Sequence, residues 1–326
     1  MLVRQRTYLI ALCCALLSVQ GLKAQIRSGT ATGAVVDPSG AAVPDAEVTI
    51  KNIGTNISNS TRTSSDGLYT LPYLETGTYS ISITKSGFEP FQVNGVHIES
   101  SQSVRVDASL RLGSTGVKLE VSASAEQLQT DSSTVSGATS SQVIDSIPNV
   151  TQNPLYYAGL QNGVQPRNNT SSSTSVGSFG IGVAGRAQFS AFGVNGGRAF
   201  ENDIQLDGLP IMGGGFNEAA ILPNTEGLQE VRVINNNFTA EYGHGQSVIS
   251  LSTKSGTNQY HGEGTYLLRN EALNANTNSN NANGLSRSAF KVNQFGGAVS
   301  GPIIKDKLFF FSSYHYLRFN QGQYNL

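Results

Sequence analysis

The segment KLFFFSSYHYLRFNQGQYNL, residues 307–326, is rich in aromatic side chains and can satisfy its backbone polar groups only inside a sheet. Aromatic residues favour strands, and a strand needs neighbours for its N–H and C=O groups. Phe309, Phe310 and Phe311 put rings on both faces of that strand, so its alternation is imperfect. The segment therefore predicts β-structure, with a further neighbouring strand expected beyond residue 326.

Composition also favours a β-rich chain with many turns. Charged residues make up 13% of the sequence, about half of the roughly 25% of ordinary soluble domains, and there are 36 glycines. A hydrophobic content of 38% is enough for packed cores. The net charge is -1 and the 21 Lys and Arg are scattered, which argues against a nucleic-acid partner.

Residues 1–24 are predicted to be a secretory signal peptide. Arg4 and Arg6 precede the apolar stretch YLIALCCALLSV, and Ala24 offers a small residue before a cut. The apolar stretch is shorter than the ~20 residues of a membrane-spanning helix. A buried N-terminal helix is the alternative. Cys13 and Cys14 both lie in this stretch, so the mature chain would have no thiol and no disulfide.

Residues 25–112 show alternating strands separated by turn residues. Ala46, Val48 and Ile50 share one face, the stretch YSISIT alternates with period two, and Asp37-Pro38-Ser39-Gly40 and Asp66-Gly67 have turn chemistry. This pattern predicts a small β-sandwich of about seven strands.

The order of residues in this region resembles the carboxypeptidase regulatory-like domain, a prealbumin-like sandwich. The resemblance implies a folding and interaction module without a peptidase site, and some relatives with this fold bind carbohydrate. The positions that carry it are Gly33, Val35, Asp37, Gly40, Val43, Pro44, Ala46, Val48, Asp66, Gly67, Tyr69, Leu71, Leu74, Gly77, Tyr79, Ile81, Ile83, Gly87 and Phe88.

Residues 113–147 form a looser connector that contains one strand candidate, VKLEVSA (residues 117–123). An extended segment of this kind can add itself as a strand to the sheet edge of a partner. An ordinary linker strand is the alternative interpretation.

Residues 148–256 combine Asn-, Gly- and Ser-rich loops with a few strands, and two stretches resemble the plug domain of TonB-dependent outer-membrane receptors, in particular the Oar-like group. His244-Gly245-Gln246-Ser247 departs from this pattern, since the group usually has a Gly pair there. The matching stretches are Gly196-Gly197-Arg198, Asn202-Asp203, Leu206-Asp207-Gly208, Glu230-Val231, Val233-Ile234, Ala240-Glu241-Tyr242-Gly243 and Thr253-Lys254-Ser255-Gly256-Thr257-Asn258.

Residues 257–326 offer three strand candidates: YHGEGTYLLRNEAL, FKVNQFGGAVSGPII and KLFFFSSYHYL. The stretch FGGAVSGPIIKDKLFFFSSYHYLR resembles the start of the barrel in the same receptors, with Gly301-Pro302 and Lys305-Asp306-Lys307 expected to form the turn. The fold class is therefore expected to be mainly β: a prealbumin-like β-sandwich, a mixed α+β plug domain, and the first strands of an incomplete transmembrane β-barrel.

The resemblance implies an N-terminal part of a receptor in the outer membrane of a Gram-negative bacterium. Its implied partners are a TonB-type energy-coupling protein, an unidentified extracellular ligand and outer-membrane lipid. Residues 117–123 are the candidate segment for the coupling protein, through Val117, Leu119, Val121 and Ala123. Plug loops are the candidate ligand contacts, namely Asn195, Gly196, Gly197, Arg198, Met212 and Phe216, although Gly-rich structural turns explain the same residues.

Signals of catalytic chemistry are weak, and we predict a protein that is not an enzyme and uses no cofactor and no metal. GIGVAG (residues 180–185) fits a dinucleotide fingerprint, but a Ser-rich loop enters it instead of a buried strand. His97, His244, His261 and His315 share no ligand spacing. Asp203 and Asp207 could be read as calcium ligands, but a turn at Asp207-Gly208 and a local pairing of Asp203 explain them better.

Two alternatives stay open at this point. A secreted or surface protein that binds carbohydrate or protein would explain the signal peptide and the sandwich, but it leaves the plug-like stretches unexplained. The second alternative is a truncated, inactive receptor remnant. Only three barrel strands are predicted, and lipid tolerates strands only in closed barrels, so three strands alone would not form a working receptor.

Overall fold

A computed structural model gives the fold, and strands dominate it. The signal-peptide prediction for residues 1–24 lies outside the residues that the structure describes. Among the described residues no helix is both long and apolar enough to cross a membrane. The structure describes residues 29–113, 119–122, 134–147, 149, 153–166, 192–198, 201–213, 218–236, 245–276, 278–287 and 290–321.

The first unit is the predicted β-sandwich, called the sandwich below. One sheet has the order β4-β1-β7 with β8 also paired to β1, and the other has the order β3-β2-β5-β6-β9. The strands are β1 (Gly29–Val36), β2 (Glu47–Asn52), β3 (Ser58–Arg62), β4 (Leu68–Leu74), β5 (Gly77–Thr84), β6 (Phe91–Ile98), β7 (Ser103–Arg105), β8 (Ala108–Ser109) and β9 (Leu119–Ser122).

Period-two alternation in the sequence becomes the core of the sandwich. Val48 and Ile50 of β2 face Ile81 and Ile83 of β5, and all four side chains are fully buried. Burying a side chain of this size contributes about 1.5–3 kcal/mol, so these positions fix the register of the sheet. The expectation that Ala46, Val48 and Ile50 share one face is confirmed, since all three are fully buried.

The two predicted turns of the sandwich are also present. Asp37 accepts hydrogen bonds through Oδ1 from the backbone N–H groups of Ser39 and Ala41, at 2.8 and 2.9 Å. Gly40 and Gly67 have φ angles of 84° and 71°, a region that glycine enters without steric cost.

The second unit is built on a five-stranded sheet, called the central sheet, with the order β10-β17-β18-β13-β14. Strands β13 and β18 run parallel, and the other pairs in this sheet are antiparallel. Two short ribbons, β11-β12 and β15-β16, lie beside it. The elements are β10 (Val135–Ser140), α1 (Ser141–Ser146), a 3₁₀ helix (Pro154–Leu160), β11 (Val164–Pro166), β12 (Phe192–Val194), β13 (Asn202–Leu206), β14 (Leu209–Pro210), β15 (Met212–Gly213), β16 (Glu218–Ala219), a 3₁₀ turn (Thr225–Gly227), β17 (Leu228–Asn236) and β18 (Ser247–Thr253).

The third unit is a three-stranded antiparallel sheet of long strands, called the wall, with the order β19-β20-β21. All three strands were expected from the sequence. Residues 308–321 of the closing aromatic segment form β21, which pairs with β20 along its length. The elements are β19 (His261–Asn270), a 3₁₀ turn (Glu271–Leu273), α2 (Asn278–Ala282), β20 (Phe290–Ile304) and β21 (Leu308–Gln321).

One turn prediction in the wall needs correction. The turn between β20 and β21 contains only Lys305-Asp306-Lys307, while Gly301 and Pro302 lie inside β20 opposite Phe310 and Phe309. Proline cannot donate to the ladder, and the structure accommodates it with a register shift between Pro302 and Ile304.

Candidate functional site

The predicted ligand loop, residues 195–198, is a tight turn that follows β12. Asn195 and Gly196 have φ angles of 52° and 80°, and the N–H of Gly197 donates to the carbonyl of Val194 at 2.9 Å. Two successive left-handed residues with Asn and Gly are typical of such turns. The structural explanation of this Gly-rich stretch therefore holds, whether or not the turn also contacts a ligand.

Hydrogen bonds anchor this turn to two other parts of the second unit. The backbone N–H of Asn195 donates to the carbonyl of Gly163 at 2.9 Å, and its side-chain amide donates to the carbonyl of Asn235 at 3.0 Å. The side-chain amide of Asn235 in turn donates to the carbonyl of Asn162 at 2.8 Å. A Cβ atom on Gly163 would lie 2.4 Å from Asn195 Oδ1, so only glycine fits there. The base of the turn is thus fixed in place.

Arg198 points into solvent from this fixed base. Its side chain is 87% exposed, and its guanidinium lies 3.7 Å from the carboxylate of Glu201. Glu201 also accepts from the side-chain amide of Gln246 at 2.8 Å, so its position is set by a second contact. Exposed ion pairs contribute little to stability. The guanidinium can therefore exchange the Glu201 carboxylate for an anionic group of a ligand at a small cost in free energy.

The other two predicted ligand residues do not lie in this turn. Met212 is half-buried in the β15-β16 ribbon, where it pairs with Ala219 and packs against the core of the central sheet. Phe216 lies outside the described residues, as do the GIGVAG stretch and His244. The five described positions of this set thus belong to two separate ribbons.

The segment predicted for the coupling protein is an edge strand of the sandwich. Leu119 and Val121 lie in β9, which pairs parallel with β6 opposite Phe91 and Val93. Val117 and Ala123 lie outside the described residues. Within the described part of the chain, β9 is the last strand of its sheet, so one of its backbone edges faces away from the sandwich.

The two aspartates considered as calcium ligands are used locally, as expected. Asp207 has a φ angle of 48° in the β13-β14 turn, and its carboxylate accepts from the N–H and the hydroxyl of Thr253 at 2.9 and 2.8 Å. Asp203 accepts from the side-chain amide of Gln205 at 2.7 Å. In the part of the chain that the structure describes, no three or more His, Cys, Asp or Glu residues group as metal ligands would.

Sequence reasoning missed a contact between the central sheet and the wall. Glu226, in the 3₁₀ turn before β17, is only 5% exposed, and its Oε1 accepts from the Thr265 hydroxyl of β19 at 2.8 Å. The same oxygen lies 3.6 Å from Nδ1 of His315 on β21. Gly296 of β20 leaves room for it, since a Cβ atom there would lie 2.4 Å from Glu226 Oε1. One buried carboxylate therefore contacts all three strands of the wall.

A cavity of about 360 Å³ lies beside this contact, between α1 and β19. Three carboxylates line it, those of Asp145, Glu226 and Glu263. Lys254 lies 3.5 Å from both Asp145 and Glu263. This lysine offsets part of the negative charge and joins the end of the central sheet to the wall.

Comparison with known families assigns two parts of the chain. Residues 30–111 match the carboxypeptidase regulatory-like domain, and residues 252–326 match the outer membrane beta barrel domain. The first match confirms the identity expected for the sandwich, and the second covers the wall.

A curated relative spans nearly the whole chain. The TonB-dependent transporter Oar of Myxococcus xanthus is 26% identical over 310 residues, which cover 90% of this chain and 27% of that protein. The chain thus spans about a quarter of the length of this relative. The homology is to a transporter and not to an enzyme.

Solved structures give weaker likenesses. The siderophore receptor PirA from Acinetobacter baumannii has a TM-score of 0.38 and 20% identity, over 56% of this chain and 24% of that one. A catechol 1,2-dioxygenase from Acinetobacter has a TM-score of 0.24 and 12% identity, over 31% of this chain and 60% of that one. Similarities as low as these do not indicate a function.

Proposed function

We propose that this chain, a homologue of TonB-dependent outer-membrane receptors, supplies the plug and the first barrel strands of a receptor for energised uptake of an extracellular ligand. In this proposal residues 1–24 are the signal peptide, residues 25–112 an accessory sandwich and residues 113–147 a linker. Residues 148–256 are the plug, and residues 257–326 begin a barrel of about 22 strands. The receptor lies in the outer membrane.

The faces of the wall support its assignment as barrel. Tyr266, Phe295 and Tyr316 are directly opposite one another on three adjacent strands, with ring centroids 5.5 and 5.7 Å apart. All three rings are exposed, whereas Thr265 and His315 on the other face contact Glu226. An aromatic row on the outside and polar residues on the inside are what a transmembrane barrel uses at the membrane interface.

Loop lengths support one orientation of the wall. Its strands β20 and β21 are joined by a three-residue turn at 305–307, while 19 residues, 271–289, separate β19 from β20. Outer-membrane barrels have short periplasmic turns and longer extracellular loops. In this orientation the sandwich is periplasmic, since Asn56 contacts Asp306 of the short turn.

The same orientation directs the predicted ligand turn outward. The Thr253 end of β18 leads through residues 254–260 into β19 near the short turn, so the Ser247 end lies away from it. Gln246, which adjoins that far end, contacts Glu201 beside the 195–198 turn. We infer that Asn195, Gly196, Gly197 and Arg198 face the extracellular ligand, together with Met212 of the neighbouring ribbon, and we propose the same role for Phe216.

Strand β9 is the proposed contact for the energy-coupling protein. The backbone edge of β9 that faces away from β6 can accept an added strand, and β9 can also leave the sandwich so that the segment pairs with a partner. Either route requires the backbone N–H groups of this segment.

Binding of the isolated C-terminal domain of the coupling protein to the complete chain tests this role. Val121→Pro removes a ladder donor and is expected to abolish binding, while Gln127→Pro, in the same linker but outside the segment, is the matched control and keeps it. Equal binding by both variants would contradict the assignment of this segment.

Cell fractionation tests the receptor assignment separately. We expect the complete gene product to sediment with the outer membrane and to require detergent for release. Recovery only in the soluble periplasmic or medium fraction would favour the alternative, a secreted module that binds carbohydrate or protein through its sandwich.

A further inference from the structure

One end of the sandwich contacts both the central sheet and the wall. The β2-β3 turn, residues 53–57, reaches the turn of the wall, and Glu99, which follows β6, reaches β17. These two loops are adjacent in the sandwich, because Gly77 of β5 pairs with Ile98 and packs against the side chain of Asn52. We call this end, residues 52–57 and 99, the docking end.

The contact with the central sheet is a buried ion pair. The Arg232 guanidinium of β17 donates to Glu99 at 2.6 Å and to the Ser136 hydroxyl of β10 at 2.9 Å. The side chain of Arg232 is only 4% exposed, and that of Glu99 is 23% exposed. Glu230 lies farther away, at 3.8 Å. A buried guanidinium needs a carboxylate at hydrogen-bond distance, and in this structure the sandwich supplies it.

The contact with the wall is a hydrogen-bond network around one turn. Asp306 Oδ1 accepts from the side-chain amides of Asn56 and Asn258, at 2.9 and 2.8 Å. The backbone N–H of Asp306 donates to Asn258 Oδ1 at 2.9 Å, and the N–H of Asn258 donates to the carbonyl of Gly54 at 3.0 Å. Asn56 and Asp306 have φ angles of 60° and 63°, a conformation that Asn and Asp adopt more readily than most residues.

We propose that the sandwich is an intramolecular clamp, whose docking end adds a second link between the central sheet and the wall to the direct contacts of Glu226 and Lys254, and that releasing either of its two contacts loosens the sheet against the wall. Glu99 holds the sheet through Arg232, and Asn56 holds the wall through Asp306. Because the sandwich between these loops is a packed body, its two contacts resist any shift of the sheet along the wall while both persist. The importance of the clamp for uptake rests on the function proposed above, whereas the contacts themselves do not.

Hydrogen exchange on the complete chain in detergent micelles tests the clamp. Glu99→Gln removes the charge with little change of shape, and Asn56→Gly removes the amide while allowing the positive φ angle. The double variant is expected to speed exchange by at least about tenfold in peptides 225–236 and 261–270, because it weakens two hydrogen bonds that involve charged groups. The sandwich peptides 47–52 and 77–84 are expected to keep their protection, since both substitutions are on its surface.

Two further variants make the result decisive. Glu47→Gln, the same substitution at an exposed site of the sandwich, is the matched control and is expected to leave all peptides unchanged. If the double variant loosens the sandwich itself, the two single variants carry the test, with smaller increases expected in the same two peptides. Unchanged exchange in residues 225–236 and 261–270 would overturn the clamp. That result would leave the fractionation and coupling-protein tests untouched, so the two proposals fail separately.

Discussion

The Glu226 carboxylate accepts a hydrogen bond of 2.8 Å from the Thr265 hydroxyl and so joins the turn before β17 to the first strand of the wall. Glu226 is buried and lies over Gly296, the residue of β20 opposite Thr265. This close approach depends on the missing side chain of Gly296. The contact between the central sheet and the wall is therefore sensitive to a single methyl group.

Gly296→Ala is expected to weaken this contact. The added Cβ atom would lie 2.4 Å from Glu226 Oε1 and 2.5 Å from Thr265 Oγ1, so the carboxylate must move. Overpacking of this kind costs about 1–3 kcal/mol in free energy of unfolding, measurable by urea denaturation followed by circular dichroism in micelles. Gly264→Ala on β19 is the matched control, because nothing lies within 4 Å of its added Cβ atom. Equal stability of the two variants would contradict this prediction.

Asp207 is expected to stabilise the end of the central sheet in two ways. Its carboxylate accepts two hydrogen bonds from Thr253, and its backbone adopts the positive φ angle of the turn. Asp207→Ala removes both hydrogen bonds to Thr253 and places alanine at a φ angle of 48°, at an expected cost of about 1–2 kcal/mol. Asp207→Asn keeps a side-chain oxygen as an acceptor, and Asn adopts a positive φ angle more readily than Ala. This variant is therefore expected to lose less than half of the free energy of unfolding that Asp207→Ala loses. The free energy of unfolding from urea titration distinguishes them, and equal losses would show that the hydrogen bonds do not matter.

Tyr69 is expected to make the sandwich sensitive to alkali. Its hydroxyl donates to the carbonyl of Val106 at 2.7 Å, and burial raises the pKa of this hydroxyl far above its ordinary value of 10.0. Since the folded pKa lies above the unfolded one, the stability is complete below pH 10 and is lost as the pH rises through the folded value. Tyr69→Phe is expected to cost about 1–3 kcal/mol at neutral pH, because the carbonyl of Val106 loses its donor.

The exposed Tyr73 is the control for this prediction. Tyr73 is 80% exposed, so Tyr73→Phe is expected to leave the stability at neutral pH unchanged. Thermal unfolding of the complete chain at pH 7 and pH 11 provides the comparison. An alkaline loss of stability in Tyr69→Phe as large as in the native chain would argue against Tyr69 as the source.

Asp306 is expected to make the contact between sandwich and wall sensitive to acid. Hydrogen bonds from Asn56 and then Asn258 lower the pKa of this carboxyl below its ordinary value of 3.8. A lowered folded pKa means that the stabilising effect is fully present above the ordinary value and is lost as the pH falls through the lowered one. The protection factors of residues 254–258, that is, their exchange rates relative to the intrinsic rates at the same pH, are therefore expected to be equal at pH 5 and pH 7, and cleavage by pepsin at low pH is expected to begin near this turn.

Local patterns in the sequence predicted the parts of the fold that depend on local chemistry. Ile81 and Ile83 were placed on the core face by period-two alternation, and Asp207-Gly208 was placed in a turn by its residue types. The three wall strands followed from alternating segments and from the family resemblance. Each of these signals lies within about ten residues of the structure that it specifies.

Contacts between distant segments could not be predicted in the same way. The parallel pairing of Asn202 with Ser247 joins strands about 45 residues apart, and nothing in either strand encodes that register. Glu226 has the local signature of a surface turn, since Glu is mostly exposed in proteins and the following Gly favours turns, yet Glu226 is buried against the wall. The link from Glu99 to Arg232 crosses 133 residues and depends on how two folded units dock.

The orientation of the wall in the membrane tests the central claim most directly. Single cysteines introduced as Ser279→Cys, in the loop between β19 and β20, and as Lys305→Cys, in the β20-β21 turn, can be labelled with a membrane-impermeant maleimide on intact cells that make the complete receptor. The native Cys13 and Cys14 lie in the segment predicted to be removed. A receptor that spans the outer membrane as proposed is labelled at residue 279 on intact cells and at residue 305 only after the cells are broken. Labelling at both sites on intact cells, or at neither, would contradict the account.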